Sequence, residues 1–233
     1  ESMILGSALH TALLEPEAFD ERFAVSPKFD RRTKQGKEDA QAWEAANAGK
    51  VALREEHALA VRAMVRKVQS HSFAASLIER GHAERSLFFL HEPTGIECKI
   101  RPDFLSMNGA GEICAIVDVK TANHAGIEEF SRATAGYGYD VQAALYSDAI
   151  SSVLGRQVPF FFLVIENAAP YSVALYKASN ALLEAGRKRY RAALEMLSWC
   201  RQTDCWPGYQ TGDGYEELDL PVWMKRAIDE IEV

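Results

Sequence analysis

Leu5, Leu9, Leu13 and Leu14 recur at helical spacing and Pro16 ends the run, so the chain opens on a helix. Apolar positions keep a helical period over about 37–48, 55–70 and 72–80. The stretch 28–37 (KFDRRTKQGK) breaks that pattern. It holds five basic residues and little that could be buried, and reads as a solvated loop. The period changes after residue 82. The runs 83–91 (AERSLFFLH), 96–106 (IECKIRPDFLS) and 113–121 (ICAIVDVKT) predict strands. Glu-Pro-Thr-Gly at 92–95 and Asn-Gly-Ala-Gly at 108–111 are turn sequences between them, and short turns imply antiparallel neighbours. Helices are predicted over about 127–134 and 139–154. The apolar run 158–166 (VPFFFLVIE) predicts a strand buried on both faces. A strand at 171–176, a long helix over 179–200 and a short one over 222–231 follow. This order predicts an α/β fold: a mixed sheet flanked by helices, in one domain over 1–233. Its parts would be a helical segment at about 3–80, a core at about 82–200 and a tail at about 201–233.

Composition narrows the class. The chain has 233 residues, 48% hydrophobic and 25% charged, ordinary for a folded globular protein. The longest apolar stretch falls far short of a membrane span, so no membrane partner is expected. The opening ESMILGSALHTALL has no basic leader and carries His10 inside its apolar run, so no signal peptide is expected. Cys98, Cys114, Cys200 and Cys205 form no CxxC pair, which argues against a zinc or iron–sulfur site and for reduced thiols. A net charge of −7 excludes a general basic coat and leaves only a local basic groove for nucleic acid. Arg31, Arg32, Lys34 and Lys37 are the densest candidates for one, or simply a solvated loop.

Hairpin arithmetic picks out a candidate site. Paired positions in a hairpin have a constant index sum. The 92–95 turn sets Glu84 opposite Asp103, and the 108–111 loop sets Asp103 opposite Asp118 or one pair along. Lys120 shares the Asp118 face, because side chains alternate with period two. Glu84, Asp103, Asp118 and Lys120 would then form one patch. Like charges directly opposed destabilise a sheet unless a proton or cation relieves them. Carboxylate oxygens suit Mg²⁺ or Mn²⁺, and a nearby lysine can orient water or stabilise phosphoryl charge. The alternative is acids alternating outward from a half-exposed sheet. Pro102, which lacks a ladder donor, belongs at an edge or bulge. Arg101 beside it would neutralise the acids, contact phosphate or face solvent.

The segments LGSALHTALLEPEAFDERF, AERSLFF, IECKIRPDFL, IVDVKT, YGYDVQAALY and CWPGY together resemble the nuclease domain of RecE-type exonucleases (exodeoxyribonuclease VIII), within the PD-(D/E)XK nuclease superfamily. The resemblance runs from Met3 to about Trp223 and implies a restriction-endonuclease-like core with an N-terminal helical segment. It implies that Pro102-Asp103 is the PD and Asp118-Val119-Lys120 the (D/E)XK. It also implies that His10, with Asp103, Asp118 and Glu84, binds metal, with the Val119 carbonyl as a further ligand. Gln142 and Tyr146 match the helical Q-x-x-x-Y, and Tyr137, Gly138 and Tyr139 would shape the start of that helix. Read alone, His10 is more often a surface or core residue, and Gln142 and Tyr146 mark a polar helix face.

What the resemblance implies in function is a Mg²⁺-dependent exodeoxyribonuclease, with Mn²⁺ as substitute, and no iron–sulfur cluster. It would hydrolyse phosphodiester bonds at double-stranded DNA ends, 5′→3′, in recombination, in the cytoplasm of a bacterium or from a prophage. Asp103, Asp118, Lys120, Gln142 and Tyr146 would be catalytic. Arg31, Arg32, Lys34, Lys37 and Arg101 would contact DNA. A single-strand annealing protein would be a partner. A ring-shaped homo-oligomer, a tetramer, is expected, with Trp206, Tyr209 and Trp223 at the interface or else covering the core. The competing readings are a non-catalytic DNA-binding module and a metal-stabilised interaction module on the same fold.

Overall fold

The computed structural model describes residues 2–210 and 214–230; the last residue of the short helix expected over 222–231, and both ends of the expected 1–233 domain, lie outside them. Helix α1 (Ser2–Leu14) ends before Pro16, and a short turn with α2 (Phe19–Arg22) leads into β1 (Phe23–Ser26). The basic loop closes at α3 (Lys34–Ala46), where the Thr33 hydroxyl accepts from the Gly36 N–H at 3.0 Å. Then come β2 (Val51–Arg54), α4 (Glu55–Ser70), α5 (Ser72–Ile78), β3 (Gly81–Ala83), β4 (Leu87–His91), β5 (Ile96–Ile100), β6 (Phe104–Met107) and β7 (Ile113–Ala122). The rest is α6 (Ile127–Tyr137), α7 (Tyr139–Leu154), β8 (Phe160–Glu166), β9 (Val173–Lys177), α8 (Asn180–Thr203) and α9 (Val222–Asp229).

The main sheet has the order β3-β6-β7-β8-β9, with β7 and β8 parallel and the other neighbours antiparallel. Period-two alternation along β7 sends Val117 and Val119 to one face and Ile116 and Asp118 to the other. On the first face Leu9, Leu13, Met64 and Val68 of α1 and α4 bury against Val117, Val119 and Leu163. On the second, Phe130 and Ala143 of α6 and α7 bury against Ile116, Phe160 and Phe162. The mixed α/β architecture with helices on both sides of the sheet is therefore as the sequence predicts. The unbroken apolar run of β8 follows from cover on both faces.

The three-stranded meander is not continuous. The predicted strands 83–91 and 96–106 each break in two, and β4 with β5 forms a separate two-stranded ribbon. Two backbone features account for the break. Pro102 has no N–H to give a ladder, and Glu84 takes a left-handed conformation with φ +54°. The index sum survives the break: Leu87 faces Ile100 in the ribbon, Gly81 faces Ser106 in the sheet, and between them the Glu84 N–H donates to the Asp103 carbonyl at 3.0 Å. The bulge falls between Ser106 and Met107 rather than at Pro102. The parallel β1–β2 pair has no counterpart in the sequence reading, because four-residue strands carry too little period to see.

Helix α8 fixes α7. A Cβ at Gly186 would lie 1.9 Å from the Asp140 carbonyl oxygen, so the two backbones touch there. Arg189 Nη1 reaches both oxygens of Asp140 at 2.7 and 2.9 Å. Farther along, Arg187 and the Tyr190 hydroxyl close on Asp148 at 2.6–2.8 Å. The first turns of α7, which reach the site, are thus held from behind by buried and half-buried charge pairs.

Candidate active site

β7 outlasts β6. Their pairing begins at Phe104 with Val117, so β7 from Asp118 onward has no backbone neighbour on that side. A strand N–H left there needs an acceptor. The Asp103 carboxylate, one residue before β6, supplies it: the Val119 N–H donates to Asp103 Oδ2 at 2.7 Å. The same register that ends the ladder therefore sets Asp103 beside Asp118.

Three elements bring ligating groups to this point. His10, in the third turn of α1, places Nδ1 3.6 Å from Asp103 Oδ2. Glu84, at the end of β3, carries the third group. Ligand atoms of His10, Glu84 and Asp103 all lie within 4.8 Å of one another, a spacing that could hold a metal ion. Burial pushes the His10 imidazole below its ordinary value, which favours the neutral ring that a metal needs. Burial also lifts Asp103 and Asp118 to about 6 each, chiefly because two carboxylates are taken out of water together.

Asp118 sits deeper, with 1% of its side chain exposed, and turns to β7 and α7. Gln142 Nε2 donates to Asp118 Oδ1 at 2.7 Å, while Gln142 Oε1 accepts from Lys120 Nζ at 3.1 Å. One amide thus holds the carboxylate and the ammonium at once, and only one orientation of it satisfies both. Lys120 Nζ also lies 2.6 Å from Asp118 Oδ2 and 4.6 Å from the centre of the Tyr139 ring. Asp118 Oδ2 is thus buried, with the Lys120 ammonium as its close charged neighbour among the described residues. A buried oxygen with lone pairs to spare, next to a His–Glu–Asp trio, is a donor set that fits a hard divalent cation.

The other predicted residues fall as follows. Arg101 Nε is 2.8 Å from Glu84 Oε2 and 3.2 Å from its carbonyl oxygen, at the rim of the trio. Tyr146 lies one turn beyond Gln142 and is half-buried against the second core cluster. The basic loop is not gathered at the site. Arg31 pairs with Glu44, Arg32 with Asp30 and Lys34 with Glu38, and Lys37 lies on α3. Sequence reasoning placed Tyr139 only at the helix start; the structure puts its ring under Lys120. The signal was an aromatic residue directly after Gly138, whose φ of +71° turns the chain from α6 into α7.

Gly6 of α1 lines two cavities near the site. One of about 510 Å³ is lined by His10, Glu84, Arg22 and Arg101. The other, of about 520 Å³, is lined by Thr121, Tyr137 and Tyr139.

A family model described as a PDDEXK-like domain of unknown function (DUF3799) matches residues 1–215. No curated protein matches the chain in sequence. Among solved structures, a crystal structure from Eubacterium rectale, described as that of a candidate exonuclease, is similar with a TM-score of 0.59 at 15% identity. The match covers 98% of this chain and 79% of that one. At that identity the likeness speaks for the fold.

Proposed function

The chain belongs to the PDDEXK-like domain family (DUF3799), and we propose that it is a divalent-metal-dependent deoxyribonuclease acting at the ends of double-stranded DNA. The observation that carries this reading is the pairing of a buried Asp118 with Lys120 on β7, with the ligand-spaced trio of His10, Glu84 and Asp103 beside them. A structural ion pair would need no second carboxylate and no histidine at ligand spacing beside it.

Asp103, Glu84, His10 and the Asp118 Oδ2 would hold Mg²⁺ or Mn²⁺. When bound, the ion supplies Lewis acidity and lowers the pKa of a water. The chain's own groups supply the rest. Lys120 Nζ donates to the charge that grows on the phosphoryl oxygens as the water oxygen bonds to phosphorus and the 3′ oxygen departs, leaving a 5′-phosphate. Gln142 holds that ammonium in place, and the Tyr139 ring shields its other side. His10 would be a ligand through its neutral ring, whose basicity burial lowers. Arg101 and Arg22 on the 510 Å³ side give the approaching backbone positive partners, at the cost of their present contacts with Glu84 and Glu15.

Removal of nucleotides from ends rests on the resemblance to RecE-type exonucleases and on the description of the E. rectale protein as a candidate exonuclease; the 5′→3′ direction, a role in recombination and an annealing-protein partner rest on the resemblance alone. A labelled duplex incubated with Mg²⁺, with Mn²⁺ and with EDTA is the test. The expected result is stepwise shortening with either metal and none with EDTA. Shortening that persists in EDTA, or its absence with both metals, sinks the reading and leaves a binding or interaction module. Repeating the binding step from low to high salt also tests Arg31, Arg32, Lys34 and Lys37. If they contact phosphate, their joint replacement by Ala flattens the salt dependence.

Assembly into a ring is part of the same proposal. Trp206, Tyr209 and Trp223 do not cover the core: they are 61%, 107% and 69% exposed. Large aromatic residues left in water favour a partner surface. Light scattering is expected to give a homo-oligomer, a tetramer, at micromolar concentration, and a monomer with and without DNA overturns the ring.

A further inference from the structure

We infer that the 520 Å³ cavity beside Tyr137 is a nucleobase pocket, which takes an unpaired base of the strand next to the bond being cut. The inference rests on the nuclease reading and names the state of DNA that the site accepts.

The cavity continues directly from the reacting centre. Thr121 and Ala122, the residues after Lys120 on β7, form part of its wall, and the Tyr139 ring that lies 4.6 Å from Lys120 Nζ forms another part. Tyr137 stands next to Tyr139, ring centroids 5.6 Å apart, and is 76% exposed. A bulky ring left in water at the mouth of a cavity, with its neighbour already committed to the catalytic ammonium, is a stacking platform without its partner.

Charge says which part of a nucleotide belongs there. The lining carries the carboxylate of Glu129 and no lysine or arginine among the described residues. A phosphate is thus disfavoured in this cavity, whereas the 510 Å³ cavity that shares Gly6 with it holds Arg22 and Arg101. Backbone on the arginine side and base on the tyrosine side is the division that suits a strand lying across the site. His124 and the Asn123–Asn167 amide pair, bonded to each other at 3.0 Å, line the same cavity with donors and acceptors for a base edge. The volume lies within the range of ordinary ligand pockets, about 300–1,000 Å³.

A base inside a duplex is stacked on its neighbours and cannot offer its face to Tyr137. Filling the pocket therefore requires an unpaired terminal base, from a frayed end or a short overhang. Stacking reads any base, so the preference is for unpaired ends and not for sequence.

The test uses the full chain carrying Asp118→Asn, which stops cutting and lowers the negative charge that phosphate must approach. Duplex DNA carries 5-iodouracil either as an unpaired overhang base or as a paired internal base, and is irradiated. Expected is a crosslink that maps by mass spectrometry to Tyr137 with the unpaired base and not with the paired one. Tyr137→Phe keeps the ring and keeps binding to the overhang. Tyr137→Ala weakens it about tenfold or more, with an unchanged circular dichroism spectrum. Equal affinities for the Ala and Phe variants, or equal crosslinking of paired and unpaired bases, overturns the pocket. So does the absence of any DNA complex. The two readings fail separately: a Tyr137 crosslink without metal-dependent cutting by the parent keeps the pocket and removes the nuclease, whereas normal cutting that ignores Tyr137→Ala removes the pocket alone.

Discussion

Asp118→Asn removes metal-dependent cleavage, by roughly a hundredfold or more, and leaves the metal-free protein as stable as the parent at pH 7 or more so. The first half follows from the loss of a buried carboxylate oxygen beside the His10, Glu84 and Asp103 trio. The second half separates a metal site from a structural ion pair. Burial beside Asp103 raises Asp118 from 3.8 to about 6. A carboxyl raised on folding costs stability when it ionises: the folded state holds more protons than the unfolded one between those values. Its contribution is therefore complete below about 3.8 and is lost as pH rises through about 6. Two units correspond to about 3 kcal/mol. Asp103 shares the repulsion, so one substitution recovers about 1–3 kcal/mol. The gain at pH 7 should shrink towards zero near pH 4, where the parent carboxyl is already protonated. Urea unfolding in EDTA at both pH values reads it. A loss of stability that is the same at both would make Asp118 an ordinary partner of Lys120 and sink the metal site.

The pH dependence also shows what the sequence could and could not say. Turn arithmetic puts Glu84 opposite Asp103 and Asp103 opposite Asp118, and the structure continues both registers to those residues. The helices at Glu55–Ser70 and Tyr139–Leu154 were legible to the residue. The break of the meander was not, because it depends on the left-handed backbone of Glu84, a residue type that rarely adopts it. Pro102 signalled an irregularity without saying that the chain would leave the sheet there. Nor could spacing separate Gln142 from Tyr146. They share a helix face at i and i+4, yet Gln142 bonds Asp118 and Lys120 whereas Tyr146 packs against the second core cluster. Which residue of one helix face finds a partner on the strand depends on how helix and strand cross, and that is a tertiary fact.

Lys120→Ala should part chemistry from binding. The side chain is 17% exposed, and its ammonium lies between the Asp118 carboxylate, the Gln142 amide and the Tyr139 ring. Its loss removes the donor to the charge that develops on the phosphoryl oxygens, a loss of about 10²–10³ in the cleavage step. Metal affinity moves the other way. A positive charge 2.6 Å from Asp118 Oδ2 repels a divalent cation at the same oxygen, so Mn²⁺ should bind the variant as tightly as the parent or more tightly. Metal-free stability falls, because Asp118 is left buried without its counter-charge. The fall stays below the ~3–5 kcal/mol of a broken buried ion pair, since the carboxyl can take up a proton instead. Added Mn²⁺ should restore most of that stability without restoring cleavage, because the ion replaces the charge but not the hydrogen-bond donor. Calorimetric Mn²⁺ titration beside single-turnover cleavage separates these effects. A variant that loses Mn²⁺ binding along with cleavage would make Lys120 a scaffold for the ligands, and one that cuts at the parent rate would move the donor elsewhere, with Arg101 the nearest remaining cation at the rim of the trio.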